Sequence, residues 1–461
     1  MKKLLWVSII ALTLLTGCNG YIAENNNINS PATYKNGTSE DTTGQTDEKE
    51  YTSPKMEGEI SISAMSEQEF ITAAANHFMT KYPKVKVIIN TYRGISRDSG
   101  ANPPDEYSTE NYRNVLNTKI MTGKAEDVIF TSNLPVKKYT DMGVFEDLSH
   151  FLSYSKEINA ENYFMNVLEA PRDSKGKIYV LPYMASFQVI GFNRTLVSET
   201  KSELDSSMKT ISFEKAAAFA QQLVNGTSKK NVYISQGDGA YYFSYLLKEN
   251  LNKFVDMERK EARINTEQFI NLLRQTKDLM DKGYFAAKNS IDLYNMEYYF
   301  AFSLQPDLQG AFNSLDSGSA DCYVLPLSDT NGKVYTNPNY TLGINSASKN
   351  KALAWEFVKF LLSDEMQSAP CFYGLCVNKK GFEASIERNF KLYNNTKKNM
   401  SEAAYKELLE GWVMQINSYS TLDPVIEDFF AEESGKFFEK KQSAEETARV
   451  LQAKINKYFN E

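Results

Sequence analysis

The side chains that could carry chemistry are few and dispersed. The chain of 461 residues holds two histidines, His77 and His150, and no cysteine or histidine cluster has the spacing of metal ligands, so neither a metal site nor a cofactor is expected. There is no Ser, His, Asp set and no glycine loop of the kind that cradles phosphate. With 58 Asp and Glu residues, the two carboxylates of a glycoside hydrolase could be picked by eye almost anywhere, but no segment isolates a pair. No catalytic residue is assigned. Small polar residues beside aromatics are more telling. Thr131-Ser132-Asn133 ends the strand-like run Asp127-Val128-Ile129-Phe130, Tyr183, Met184 and Phe187 follow Pro182, and Tyr241 to Phe243 follow Gly237 and Gly239. The 28 Tyr and 27 Phe must be mostly core by number, yet rings also offer flat apolar faces to a ligand.

The elements that must position these residues can be read from periodicity. Ile178-Tyr179-Val180-Leu181 and Gln188-Val189-Ile190-Gly191-Phe192 read as two strands flanking the Pro182 segment. Proline lacks the ladder donor, so Pro182 ends one strand and the stretch reads as a crossing between two lobes. Glu59 to Ala64 alternates as a strand, and Ser66 with Glu69 has the spacing of a capping box. The helix that follows carries Phe70, Ala74, Phe78 and Tyr82 on one stripe and ends before Pro83, and Val85 to Ile89 makes the next strand. Strand, helix, strand over about thirty residues favours a parallel sheet, and His77 at the edge of the stripe reads as structural. Ligands of open α/β sheets bind at the carboxyl ends of strands, which singles out Ser132 and Asn133. Arg93 to Glu110, polar and broken by Pro103-Pro104, reads as a loop or insertion. Ser212 with Glu214 opens a helix, Asn231 to Ser235 is a strand, and Glu267 to Lys282 is an amphipathic helix. Cys322-Tyr323-Val324-Leu325-Pro326 echoes Tyr179-Val180-Leu181-Pro182, as a chain crossing more than once between lobes would show.

Length sets a prior of two domains, and 42% hydrophobic with 24% charged residues is the balance of a globular body. A formal charge of −7 gives no basic face for nucleic acid or anionic lipid. The first residues have a basic start at Lys2 and Lys3 and an apolar run from Leu4 to Leu15, too short to span roughly 30 Å of hydrocarbon as a helix. Residues 1–17 therefore read as an export signal. Leu15-Thr16-Gly17-Cys18 resembles a bacterial lipobox, which implies lipid on Cys18. Residues 18–57 lack apolar periodicity and read as a flexible tether. Cys322, Cys371 and Cys376 read as free thiols, although Cys371 and Cys376 are near enough in sequence to pair.

Three stretches carry a resemblance to a known family. Phe78 to Val87, Gly123 to Val128 with Gly143 to Leu148, and above all Leu342 to Glu365 are similar to segments of the extracellular solute-binding proteins of bacterial ABC importers, in the group of maltose- and oligosaccharide-binding proteins. In the last stretch Ala354, Phe357, Val358 and Leu361 share a helix face and Trp355 beside them reads as core. The resemblance implies a two-lobed α/β periplasmic-binding-protein-like fold with discontinuous lobes. Mapped onto this chain, one lobe takes 58–181 with 327–362 and the other 183–321 with 364–461. Hinge strands would fall at Leu181-Pro182-Tyr183 and Leu325-Pro326-Leu327, with a third crossing near Ser363.

The resemblance also implies a function without bond making or breaking. A solute, most naturally a carbohydrate, would enter the open cleft, stabilise the closed form by differential affinity and be delivered to the importer's permease subunits. The protein would act as a monomer outside the cytoplasm, held to the membrane only by its lipid. Expected contacts are Met65, Ser66, Ser132 and Asn133 in the first lobe, and Tyr183, Phe187, Asp238, Tyr241, Asn313 and Trp412 at the hinge and in the second. Competing readings are an exported, lipid-anchored glycoside hydrolase, a receptor for a non-sugar solute and a surface receptor for a host or cell-wall polymer.

Overall fold

A computed structural model of the protein describes residues 53–93, 109–205, 207–229, 232–235, 238–285, 299–305, 322–393, 401–420 and 422–460. The expected signal, Cys18, nearly all of the tether and Asn313 lie outside these residues. Two five-stranded sheets organise the body. In the first, β1 (Gly58–Ser66) pairs in parallel with β2 (Val85–Arg93) and with β3 (Val128–Phe130). The alternation read from the sequence puts Ile60, Ile62 and Ala64 in the core, and Ser63 is buried as well because both faces of the sheet are covered. The Glu69–Lys81 helix joins β1 to β2 and buries Phe70, Ala74 and Phe78. Its N-cap is Gln68, with no side-chain cap bond, and Ser66 is the last residue of β1, so the expected capping box is not formed. The stretch expected as a loop is strand through Arg93 and helix from Thr109, and residues 94–108 lie outside the description.

The second sheet contains β5 (Val189–Asn193), β6 (Ile211–Ser212), β7 (Val232–Ser235), β10 (Tyr299–Gln305) and β11 (Cys322–Ser328), in the order β6-β11-β5-β10-β7. β4 (Leu181–Pro182) and β13 (Thr341–Ile344) complete the first sheet, with Leu181 opposite Leu342 and Pro182 opposite Thr341. The chain therefore passes between the sheets at residues 183–188 and 329–340. This corrects both hinges: Leu181 and Tyr183 are buried in the cluster built on the first sheet, so the first turnover follows Tyr183 rather than lying at Pro182, and β11 stays paired through Leu325, Pro326 and Leu327 to Ser328, so the second follows Ser328. Ile178 to Val180 are not strand, although Ile178 and Val180 are buried.

The Lys351–Leu362 helix buries the expected face, and Trp355 is fully enclosed, donating Nε1–H to Ser155 Oγ at 3.0 Å and stacking on Phe151 at 5.3 Å. Residues 366–416, expected with the second lobe, contribute Phe372, Phe382, Leu409 and Trp412 to the cluster of the first sheet. The Pro424–Phe438 and Ala444–Phe459 helices instead pack with Gly239–Phe254 and Glu267–Asp281 in a separate cluster. Ser212 caps the Phe213–Gly226 helix by accepting the Lys215 N–H. His77 is exposed, with its Nδ1 within hydrogen-bond reach of Glu365 Oε1 at 3.3 Å. Cys371 and Cys376 are unpaired thiols, and buried Cys376 donates to Gln367 O at 3.1 Å. Among the described residues no helix is long and apolar enough to cross a membrane.

Candidate functional site

The end of β3 and the second crossing segment are tied together first. Thr131 Oγ1 lies within 2.9 Å of the carbonyls of Pro338 and Thr341, and Asn133 donates its N–H to Asn339 Oδ1 at 2.8 Å. Asn133 sits at φ 58°, a left-handed conformation that Asn tolerates better than most residues. Beside this junction lies a chamber of about 550 Å³, lined by Asn133 from the turn after β3, Phe187 and Gln188 from one crossing, Tyr335 to Asn339 from the other, and Tyr245 and Glu249 from the Gly239–Phe254 helix. The two crossings bond to each other through the Asn337 N–H and Ser186 O at 2.9 Å. Two buried hydroxyls here, Ser186 Oγ and Thr336 Oγ1, have no hydrogen-bond partner.

The wall of this chamber mixes rings with acids. Tyr245 stacks on Phe213 at 5.7 Å, and burial, followed by its bond to Tyr241, raises its phenol above the ordinary range. Tyr335 donates to Asp329 Oδ2 at 2.9 Å. Glu249 accepts the Glu214 N–H at 2.8 Å with one oxygen, while the other is buried without a partner. Desolvation leads the causes that push this carboxyl up to about 7, and the negative charges of Glu214 and Asp329 act in the same direction. A wall of this kind offers hydrogen-bond acceptors, amide groups and ring faces, which suits a neutral, hydroxyl-rich molecule.

A second chamber of about 550 Å³ adjoins the first and shares Lys248, Leu251, Leu422 and Glu427 with it. The Lys248–Glu427 ion pair, 3.0 Å long, stands at the partition. Asp238 caps the helix by accepting the Tyr241 N–H at 3.0 Å, and Tyr241, 39% exposed, faces its neighbour's ring. Helices flanking the first sheet reach across to the other cluster. Arg113 pairs with Asp428 at 2.6 Å, Lys137 with Glu258 at 3.5 Å, and Lys138 lies 4.4 Å from the ring centre of Tyr458, which donates to Asp423 Oδ2 at 2.7 Å.

Of the residues singled out in the sequence, Asn133 and Phe187 line the first chamber, and Asp238 and Tyr241 the second. Met65 lies 3.5 Å from Asn133 Nδ2 through its sulfur, and Ser132 is within 3.5 Å of the same nitrogen, but neither they nor Ser66 line a chamber. Two assignments are corrected. Tyr183 is 2% exposed, with its ring 6.2 Å from Phe70 and edge-on to Phe130 at 5.3 Å, and Trp412 is 5% exposed in the same cluster, so both are core. Tyr245, Glu249, Tyr335, Asn337 and Asn339 were missed. Asn337-Pro338-Asn339-Tyr340, a polar and aromatic turn just past the proline-marked β11, was a readable signal. Glu249 was not readable, because nothing local distinguishes it from any exposed helical acid.

Residues 64–368 match the model of the bacterial extracellular solute-binding protein family. No curated protein matches the chain. Among solved structures, an ABC substrate-binding protein from Listeria monocytogenes in complex with cycloalternan aligns over 88% of this chain and 99% of its own, at 16% identity and a TM-score of 0.56. The sugar-binding protein MalE from Xanthomonas citri aligns over 87% and 98%, at 13% identity and a TM-score of 0.60. The GacH receptor of Streptomyces glaucescens, whose structures include a complex with acarbose, aligns over 88% and 99%, at 16% identity and a TM-score of 0.52. These similarities show the two-lobed periplasmic-binding-protein fold. With two thirds of its length matched by one family model, the chain belongs to the bacterial extracellular solute-binding proteins.

Proposed function

We propose that this solute-binding protein captures a carbohydrate outside the cytoplasm and hands it to an ABC importer, without catalysing a reaction. The observation that carries this reading is the first chamber, where Phe187, Tyr245 and Tyr335 stand beside Asn133, Asn337 and Asn339 between two crossing segments. Ring faces pack against the CH faces of a sugar while amides and carboxyls take its hydroxyls. The cycloalternan and acarbose complexes of two structural neighbours and the sugar-binding name of a third support the same substrate class. Asn133 and Phe187 are the contacts we propose in this chamber, and the ring of Tyr241 in the adjoining one. Lipid on Cys18 would hold the body near the membrane, with residues 18–57 as the tether and residues 1–17 removed on export.

Calorimetry of the protein against mono- and oligosaccharides tests the reading. Saturable binding of at least one sugar with no turnover is expected. Hydrolysis of a sugar in place of binding would favour the glycoside hydrolase, and binding only of a peptide or polyamine would replace the carbohydrate. Membrane attachment lost on Cys18→Ala is the expected outcome for the anchor.

A further inference from the structure

We propose that the second chamber is a subsite for an apolar group, alkyl or aryl, on the same ligand whose polar part occupies the first; this rests on the carbohydrate reading above. The two chambers share four lining residues, so one molecule can reach both. Their walls differ in what they leave for a ligand. In the second, Ala240, Leu247 and Leu251 recur along one helix and face Phe430 and Ala431 on the other, with Leu422 between. Every polar side chain that lines it is already engaged by protein. Lys248 and Glu427 pair with each other, Asp428 is held by Arg113, and Asp238 caps its helix. Ser244 donates to Tyr241 O at 2.7 Å and Ser434 to Phe430 O at 2.6 Å. The first chamber, by contrast, keeps Thr336 Oγ1 and a Glu249 oxygen unpartnered. Water in a space with apolar walls and satisfied polar groups finds few partners, so an apolar occupant displaces it favourably. A ring fits easily, since a cavity of about 150 Å³ already takes benzene.

The experiment is calorimetry with matched methyl and phenyl glycosides of glucose, galactose, mannose and xylose. The phenyl member of a binding pair is expected to bind at least tenfold more tightly than the methyl member. Ala431→Trp, which fills the chamber from an exposed position, should erase that gain and leave the methyl glycoside unaffected. Equal affinity within pairs, or a gain that survives Ala431→Trp, overturns the inference while leaving carbohydrate capture intact. A disaccharide that gains as much as the phenyl glycoside also overturns it, because the chamber would then take a second sugar. If no glycoside binds while an oligosaccharide does, this inference is overturned and carbohydrate capture stands; if no sugar of either set binds, both fail.

Discussion

Replacing Glu249 by glutamine removes one titrating group from the wall of the first chamber while keeping an oxygen for the Glu214 N–H. The carboxyl titrates at about 7 in the folded protein against an ordinary 4.5, first through loss of solvent and then through the charges of Glu214 and Asp329. At about 1.4 kcal/mol per pH unit this amounts to about 3 kcal/mol for a fully shielded group, and solvent screening of a partly exposed one reduces it to about 1–2 kcal/mol. Below pH 4.5 the group is protonated in both folded and unfolded chains and contributes nothing. Between 4.5 and 7 the unfolded chain ionises while the folded one retains its proton, so stability falls as pH rises, and above 7 the penalty is complete. Relative to its offset at pH 4, Glu249→Gln should therefore gain about 1–2 kcal/mol over the parent at pH 8. Urea unfolding of both proteins at pH 4, 6 and 8 measures the difference, other titrating groups being common to both. A difference that stays constant from pH 4 to 8 refutes the reasoning.

Three further outcomes are expected. Gly343→Ala places a methyl 2.5 Å from Phe145 Cδ1 and 3.0 Å from the Tyr179 carbonyl in a central strand, so overpacking should cost about 1–3 kcal/mol in thermal or chemical unfolding. Trp355→Ala leaves a cavity among Phe151 and its neighbours and removes the indole donor from Ser155 Oγ, which keeps its own bond to Phe151 O, for a loss of about 3–5 kcal/mol; a loss under 1 kcal/mol would contradict the burial described. Arg113→Leu removes the ion pair to Asp428, and the ligand-free protein should become larger in small-angle scattering, with a stability loss of about 1–2 kcal/mol; unchanged dimensions would show that this contact does not hold the two sides together.

What depends on neighbours along the chain can be read from the residues alone. The alternation of Ile60, Ile62 and Ala64, the stripe of Phe70, Ala74 and Phe78, the Ser212 cap and the buried face around Trp355 all follow from local period and turn chemistry, and the structure has them where the pattern put them. That the chain passes between sheets after each of two proline-bearing strands was also legible, but the place was not, because Pro182 and Pro326 are both paired within their strands, opposite Thr341 and Val189, and the chain leaves the sheets beyond them. Contacts between distant parts of the chain account for the rest. Leu181 is held by Leu342, far along the chain, and that pairing moves the crossing beyond Tyr183. Tyr183 and Trp412 carry the same aromatic signal as Phe187 and Tyr241, but Phe70 and Phe130 enclose Tyr183, and the first sheet's cluster takes in Trp412. Glu249 acquires its altered titration from burial first and then from the charges of Glu214 and Asp329, brought to it by a helix end and a crossing segment. Periodicity shows which face of an element is apolar, whereas only the folded chain brings together the residues that enclose a ring or leave it beside a cavity.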